Sequence, residues 1–191
     1  MAIIKGYKLN EKVLSKRNQS FYLANREADN QAVFLKVIEN QDYDSVEIAV
    51  LRREFEISKN LDHPGIISPI DFVDFNGGTA LVMKRFDGLS LQKWLAEKKV
   101  PFRDFLIVSI NLSEAIGYLH SKGIIHKDIK PSNILINPKD LSIKLIDFGI
   151  ASLIPQEDIV LDNTTVLEGT LTYISPEQTG RMNRPLDYRS D

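Results

Sequence analysis

The chain has 191 residues, 43% of them hydrophobic and 26% charged, with no cysteine and a net charge of −2. That length supports one domain with a sizeable core, or two small lobes. The missing cysteines exclude disulfides, thiolate zinc sites and a cysteine nucleophile, and the near-neutral balance calls for neither nucleic acid nor an anionic membrane as partner. The start, MAIIKGYKLNEK, lacks an apolar stretch of signal-peptide length, and every apolar run is too short to span a bilayer. A cysteine-free chain suits a reducing compartment, so a cytoplasmic location is the expectation.

In chain order, residues 7–38 read as strands joined by polar turns. The stretch AVFLKVI (32–38) is an apolar, branched strand interrupted by one charge, Lys36. A charged helix is expected over roughly 44–60, with Val46, Val50 and Ile57 at helical spacings, ended by His63-Pro64-Gly65. Strands over 66–75 and 79–86 flank Asn76-Gly77-Gly78, a hairpin turn signal. Asp87-Gly88 marks a hinge, dividing a first lobe over 1–85 from a second over 86–191. Helices follow over 90–99 and about 102–122, the second with Phe105, Val108, Leu112, Ile116 and Leu119 on one face. Short strands and loops come next, and 150–191 reads mostly as loop.

The chemistry concentrates in His126-Lys127-Asp128-Ile129-Lys130-Pro131-Ser132-Asn133, with Asp147-Phe148-Gly149 beginning fourteen residues after Asn133. Phosphoryl transfer needs a carboxylate to orient a hydroxyl, hard oxygen donors for magnesium, and cations for the phosphates. Asp128 suits the first role, Asn133 and Asp147 the second, Lys130 and Lys36 the third. Taken singly, each Asp or Asn reads as a loop-capping residue. The set in register is what points to chemistry.

With these residues the chain resembles a eukaryotic-like serine/threonine protein kinase, and the D-x-K-P-x-N loop resembles that class rather than tyrosine kinases. The resemblance runs along nearly the whole chain. It implies an α+β, two-lobed fold: a five-stranded antiparallel sheet with one helix, then a helical lobe that is truncated here. It implies ATP and Mg²⁺ as cofactors and a protein with a Ser or Thr hydroxyl as substrate. Lys36 resembles the strand lysine that touches the α- and β-phosphates. Glu54, ten residues before Pro64, resembles the helix glutamate that pairs with it. Met83 falls at the gatekeeper position, and 84–86, including Lys84 and Phe86, resemble the adenine-binding hinge. Leu135 resembles the apolar floor under the adenine. Ser175-Pro176-Glu177 stands in for Ala-Pro-Glu, and Asp191 resembles the aspartate that opens the large central helix. His126 is read as a loop brace, and Thr164, Thr165, Thr170 and Thr172 are candidate phosphosites by position alone, Thr170 resembling more closely the family's threonine that hydrogen-bonds near the catalytic aspartate. The segments 124–137 and 168–191 are also similar to the N-terminal kinase domain of large bacterial signalling proteins, which implies further signalling domains after it.

Three departures from the family pattern stand out besides the ending. Leu14 to Phe21 contains no glycine, so the expected phosphate loop would hold ATP less tightly or use Lys16 and Arg17. Phe34 replaces a small residue over the adenine and would crowd it. Lys127 replaces an arginine that grips a phosphorylated activation loop, and lysine supplies charge without a bidentate fork. The missing glycines and Phe34 favour a pseudokinase-like scaffold, whereas the complete Asp128, Asn133 and Asp147 set favours an enzyme. A small-molecule phosphotransferase shares the loop logic, but the 170–177 ending argues against it. The early ending also leads us to expect exposed apolar surface on the 102–122 helix.

Overall fold

A computed structural model describes residues 3–16, 19–39, 46–97, 99–153, 172–179 and 186–191. It divides into two compact units, residues 1–61 with 67–86, and 62–66 with 87–191. Arg17, Thr164, Thr165, Thr170 and the basic stretch 180–184 lie outside the described residues.

The first unit is built on a five-stranded antiparallel sheet ordered β1-β2-β3-β5-β4. Its strands are β1 (Tyr7–Lys16), β2 (Gln19–Arg26), β3 (Ala32–Glu39), β4 (Pro69–Phe75) and β5 (Gly78–Lys84). Alternation along β2 and β3 sends Tyr22, Ala24, Val33, Leu35 and Val37 into one closed core with Ala80 and Val82. The expected turn between β4 and β5 forms, with Gly77 at φ +101°. Gly78 has its own requirement: a Cβ there would overlap the Ile38 carbonyl oxygen across the β3–β5 ladder.

Helix α1 (Val46–Ser58) buries Ile48, Leu51, Glu54 and Ser58. Of the residues at helical spacing, Val46 is exposed, and Val50 and Ile57 are half-buried. The helix turns one carboxylate inward, because Lys36 is there to receive it.

The second unit holds the two-residue strand β6 (Leu89–Ser90), α2 (Leu91–Glu97) and α3 (Phe102–Ser121). The strands β7 (Ile124–Ile125), β8 (Ile134–Ile136), β9 (Ile143–Leu145) and β10 (Ser152–Leu153) follow. β6, β8 and β9 make one small sheet, β7 and β10 another. Pro101 precedes the first turn of α3, where a missing N–H is tolerated. Gly123, at φ +70°, ends the helix, its N–H donating to His120 O. The buried face of α3 is Val108, Ala115 and Leu119. Phe105, expected on that face, is instead exposed along with Phe102, Leu106 and Ile110, so the helix does carry exposed apolar surface.

Residues 62–66 belong to this second unit. Leu145 N donates to Gly65 O, and Ile66 bridges Leu145 in parallel. Gly65 lies close to α3: a Cβ there would come within 2.8 Å of the Ala115 Cβ. His63 accepts from the Gly65 N–H and stacks on Tyr118 with ring centroids 5.0 Å apart.

Candidate active site

In the first unit the sheet's second face gathers the residues expected at a nucleotide. Residues directly opposite in a ladder share a face, as do i and i+2 along a strand. Phe21 lies opposite Lys36, Lys36 opposite Leu81, and Phe34 opposite both Leu23 and Met83. All therefore project from the side away from the closed core. Lys36 Nζ donates to Glu54 Oε2 at 2.7 Å, and both side chains are almost fully buried. Met83 is buried, Lys84 exposed and Phe86 half-buried. The β1–β2 hairpin stays paired out to Lys16 opposite Gln19.

In the second unit the loop around Asp128 is a knot of short-range bonds. Lys130 Nζ donates to Asp128 Oδ2 at 2.6 Å. The Asn133 amide nitrogen donates to the same oxygen at 2.8 Å and to the Asp128 carbonyl at 3.0 Å. Pro131–Asn133 forms a single 3-10 turn that swings Asn133 back under Asp128. Leu135 is half-buried on β8, between Ser90 and Lys144 in the ladders.

The loop is held from outside by His126 and Asp191. His126 is fully buried, and its Nε2–H donates to the Ile146 carbonyl at 3.2 Å. Its Nδ1 accepts from the Asp128 N–H, so the ring is the neutral Nε2–H tautomer. Burial pushes its pKa below the usual histidine value, against the pull of nearby Asp191, Asp147 and Asp128. The Asp191 carboxylate accepts from His126 N at 2.8 Å and from Lys127 N at 2.7 Å, and its Oδ2 lies 3.0 Å from His120 Nε2. Gln178 donates to the Lys127 carbonyl at 2.9 Å. Lys127 sits at φ +68°, a left-handed conformation uncommon for lysine, and these bonds at both of its backbone groups hold it there.

Asp147 also has positive φ, +71°. It follows Ile146, whose N–H donates to Asn133 O at 3.0 Å. It precedes Phe148, whose fully buried ring packs 4.8 Å from the His126 ring. Asn133 and Asp147 are thus tied into one framework through backbone bonds. Among the described residues no group of three His, Cys, Asp or Glu gathers to hold a metal alone. Two hard oxygen donors suit magnesium, which completes its shell with water and phosphate oxygens.

The sequence reading missed one contributor and the bonds of another. Asp191 was recognised by position, but its bonds to residues 64 and 65 positions away leave no local pattern. Gln178 gave no signal of any kind. Beyond Ser175-Pro176-Glu177, Glu177 accepts from the Ser190 hydroxyl at 2.7 Å.

The family model described as protein kinase domain matches residues 17–191. The chain belongs to the protein kinase domain family. This kinase domain is 35% identical over 170 residues to serine/threonine-protein kinase 36 of Pongo abelii, covering 89% of this chain and 12% of that protein. It is 35% identical to serine/threonine-protein kinase fused of Drosophila melanogaster, over 89% of this chain and 20% of that one. It is 34% identical to a probable serine/threonine-protein kinase of Streptomyces coelicolor, over 75% of this chain and 22% of that one. The kinase domain therefore spans less than a quarter of these relatives' lengths, and its similarity reaches both animal and bacterial serine/threonine kinases. The α+β kinase fold expected from the sequence is the fold of the family. Among the described residues no helix is long and apolar enough to cross a membrane.

Proposed function

We propose that this kinase domain transfers the γ-phosphate of ATP to a serine or threonine hydroxyl of a protein substrate, in a bacterial signalling protein with further domains, working in the cytoplasm. The observation that carries the reading is the bonding of Lys130 and Asn133 to one oxygen of Asp128. A loop with merely capping carboxylates has no need to bring a cation and an amide onto the same oxygen.

In this reading Asp128 orients the incoming hydroxyl and accepts its proton as the oxygen attacks. Lys130 supplies positive charge where the transferred phosphoryl group carries negative charge. Asn133 has its amide nitrogen engaged with Asp128, so its carbonyl oxygen and the Asp147 carboxylate are the groups that would hold magnesium. Magnesium, when bound, neutralises phosphate charge and fixes the leaving oxygen. Lys36, braced by Glu54, positions the phosphates. Met83, Lys84 and Phe86 of the first unit, and Leu135 of the second, are the residues the family resemblance assigns to the base.

A specific observation favours the second reading, a pseudokinase-like module that binds a partner and passes on a conformational signal. The ladder puts Phe34 opposite Met83 and two residues from Lys36, and the hairpin before it has no glycine. The deciding experiment is phosphotransfer from labelled ATP to a generic Ser/Thr substrate, with calorimetry of Mg-ATP binding alongside. Asp128→Asn is expected to lower the rate about a hundredfold or more while ATP affinity stays within a few-fold. Asp147→Ala is expected to lose magnesium-dependent binding. No phosphotransfer by a folded native protein that still binds ATP would establish the scaffold reading in its place.

A further inference from the structure

The residue that departs furthest from the family pattern does not stand alone. Phe34 on β3 and Phe21 on β2 stack with ring centroids 5.9 Å apart and planes 27° apart. They are diagonal neighbours in the ladder, Phe21 facing Lys36 and Phe34 facing Leu23. Both rings are half-buried, although the opposite face of the same strands is a closed core. Two aromatic side chains are thus left partly open on the face that carries Lys36.

We infer that Phe21 and Phe34 form a stacking platform for the nucleobase, so that this domain takes nucleotide affinity from the base where its glycine-free hairpin forgoes it at the phosphates. The inference rests on the reading of this chain as an ATP-using kinase domain. A ligand that suits both features needs a flat π-face at one end and negative charge at the other, which describes a nucleotide. Phe34 and Lys36 are two residues apart, about 7 Å along the strand, and the lysine stem adds reach toward the anionic end. Stacking on aromatic rings is a strong, geometry-tolerant way to hold a base. The hairpin between Leu14 and Phe21 lacks the glycines that let backbone N–H groups approach phosphate closely. The rings therefore act as a base-binding surface, rather than as a plug that fills its place.

The test is calorimetry of three probes, Mg-ATP, adenosine and magnesium tripolyphosphate, on the native protein and on Phe34→Ala, Phe34→Leu, Phe34→Tyr and Lys36→Met. Phe34→Ala is expected to weaken ATP and adenosine about tenfold or more, with tripolyphosphate unchanged. Phe34→Tyr should bind ATP and adenosine like the native protein, whereas Phe34→Leu, which keeps bulk without a π-face, should behave like Phe34→Ala. The Tyr and Leu variants keep the comparison valid if the alanine variant folds poorly. Tighter or unchanged ATP binding by Phe34→Ala or Phe34→Leu would overturn the platform and make the rings an obstruction. That result leaves the kinase reading standing, because Lys36→Met would still weaken ATP and tripolyphosphate together. If the folded native protein and every variant bind none of the three probes, the kinase reading fails and the platform with it.

Discussion

Two lysine–carboxylate pairs of nearly equal length sit in very different surroundings. Lys36 and Glu54 meet at 2.7 Å across 18 residues of sequence, with side chains 7% and 3% exposed. Lys130 and Asp128 meet at 2.6 Å across two residues, 16% and 11% exposed. The first joins a strand to a helix, and forming it removes two charges from water. The second closes a turn of loop, and Asn133 shares its oxygen. A buried pair is expensive to break from one side, because the partner is stranded as an uncompensated charge. A loop pair nearer solvent costs the fold less to break from one side. The contrast separates a buried pair that joins two elements of its unit from a local pair within one loop, the one the proposed function uses for chemistry.

That contrast is sharpest in stability. Glu54→Ala should destabilise the first unit by about 3–5 kcal/mol, read from the denaturant midpoint. The double variant Lys36→Met/Glu54→Leu should recover most of that loss. A double variant no more stable than Glu54→Ala would show that the pair is not what burial makes it. Asp191→Ala comes next: it removes the acceptor of two backbone N–H groups, at about 1–3 kcal/mol for each donor left unpaired. Hydrogen exchange at His126 and Lys127 should accelerate together, and protection of either amide would contradict the shared anchor.

A smaller effect is expected on acidification. Burial holds His126 neutral, with its pKa below the ordinary 6.5. The unfolded chain takes up a proton at this residue that the folded loop resists, so its contribution is complete above about pH 6.5 and declines as pH falls below it. Unfolding midpoints measured between about pH 7.5 and 5.5 should drop with a slope that His126→Gln removes. The smallest change in stability belongs to Asp128→Asn, about 1 kcal/mol or less, because the amide keeps an acceptor for Lys130 and Asn133. A loss as large as that of Glu54→Ala would erase the distinction between the two pairs.

Much of this arrangement was legible in the chain. Branched residues alternating around Lys36 announced a strand with one face toward a core, and Asn76-Gly77-Gly78 announced the turn before β5. The spacing of Asp128, Lys130 and Asn133 is short enough that a single loop turn brings them together, so sequence proximity stood in for spatial proximity. The helices were legible as helices, and on α3 so were the buried Val108 and Leu119, but the pattern of apolar residues showed neither Ala115 on α3 nor the inward Glu54 on α1. On α1 the inward face is chosen by an ion pair to Lys36, and on α3 by the fit of Ala115 against Gly65. Neither follows from periodicity alone.

The sequence by itself therefore determined the kinds of element, their order, and the local groupings of chemical residues, since these depend on propensities and contacts a few positions apart. The tertiary structure alone decided that Asp191 holds His126 and Lys127, that Gln178 holds the Lys127 carbonyl, and that Phe21 stacks on Phe34 beside Lys36. Those outcomes depend on strand register and on contacts across 13 to 65 residues, where the closing of the chain, and no local preference, sets which side chains meet.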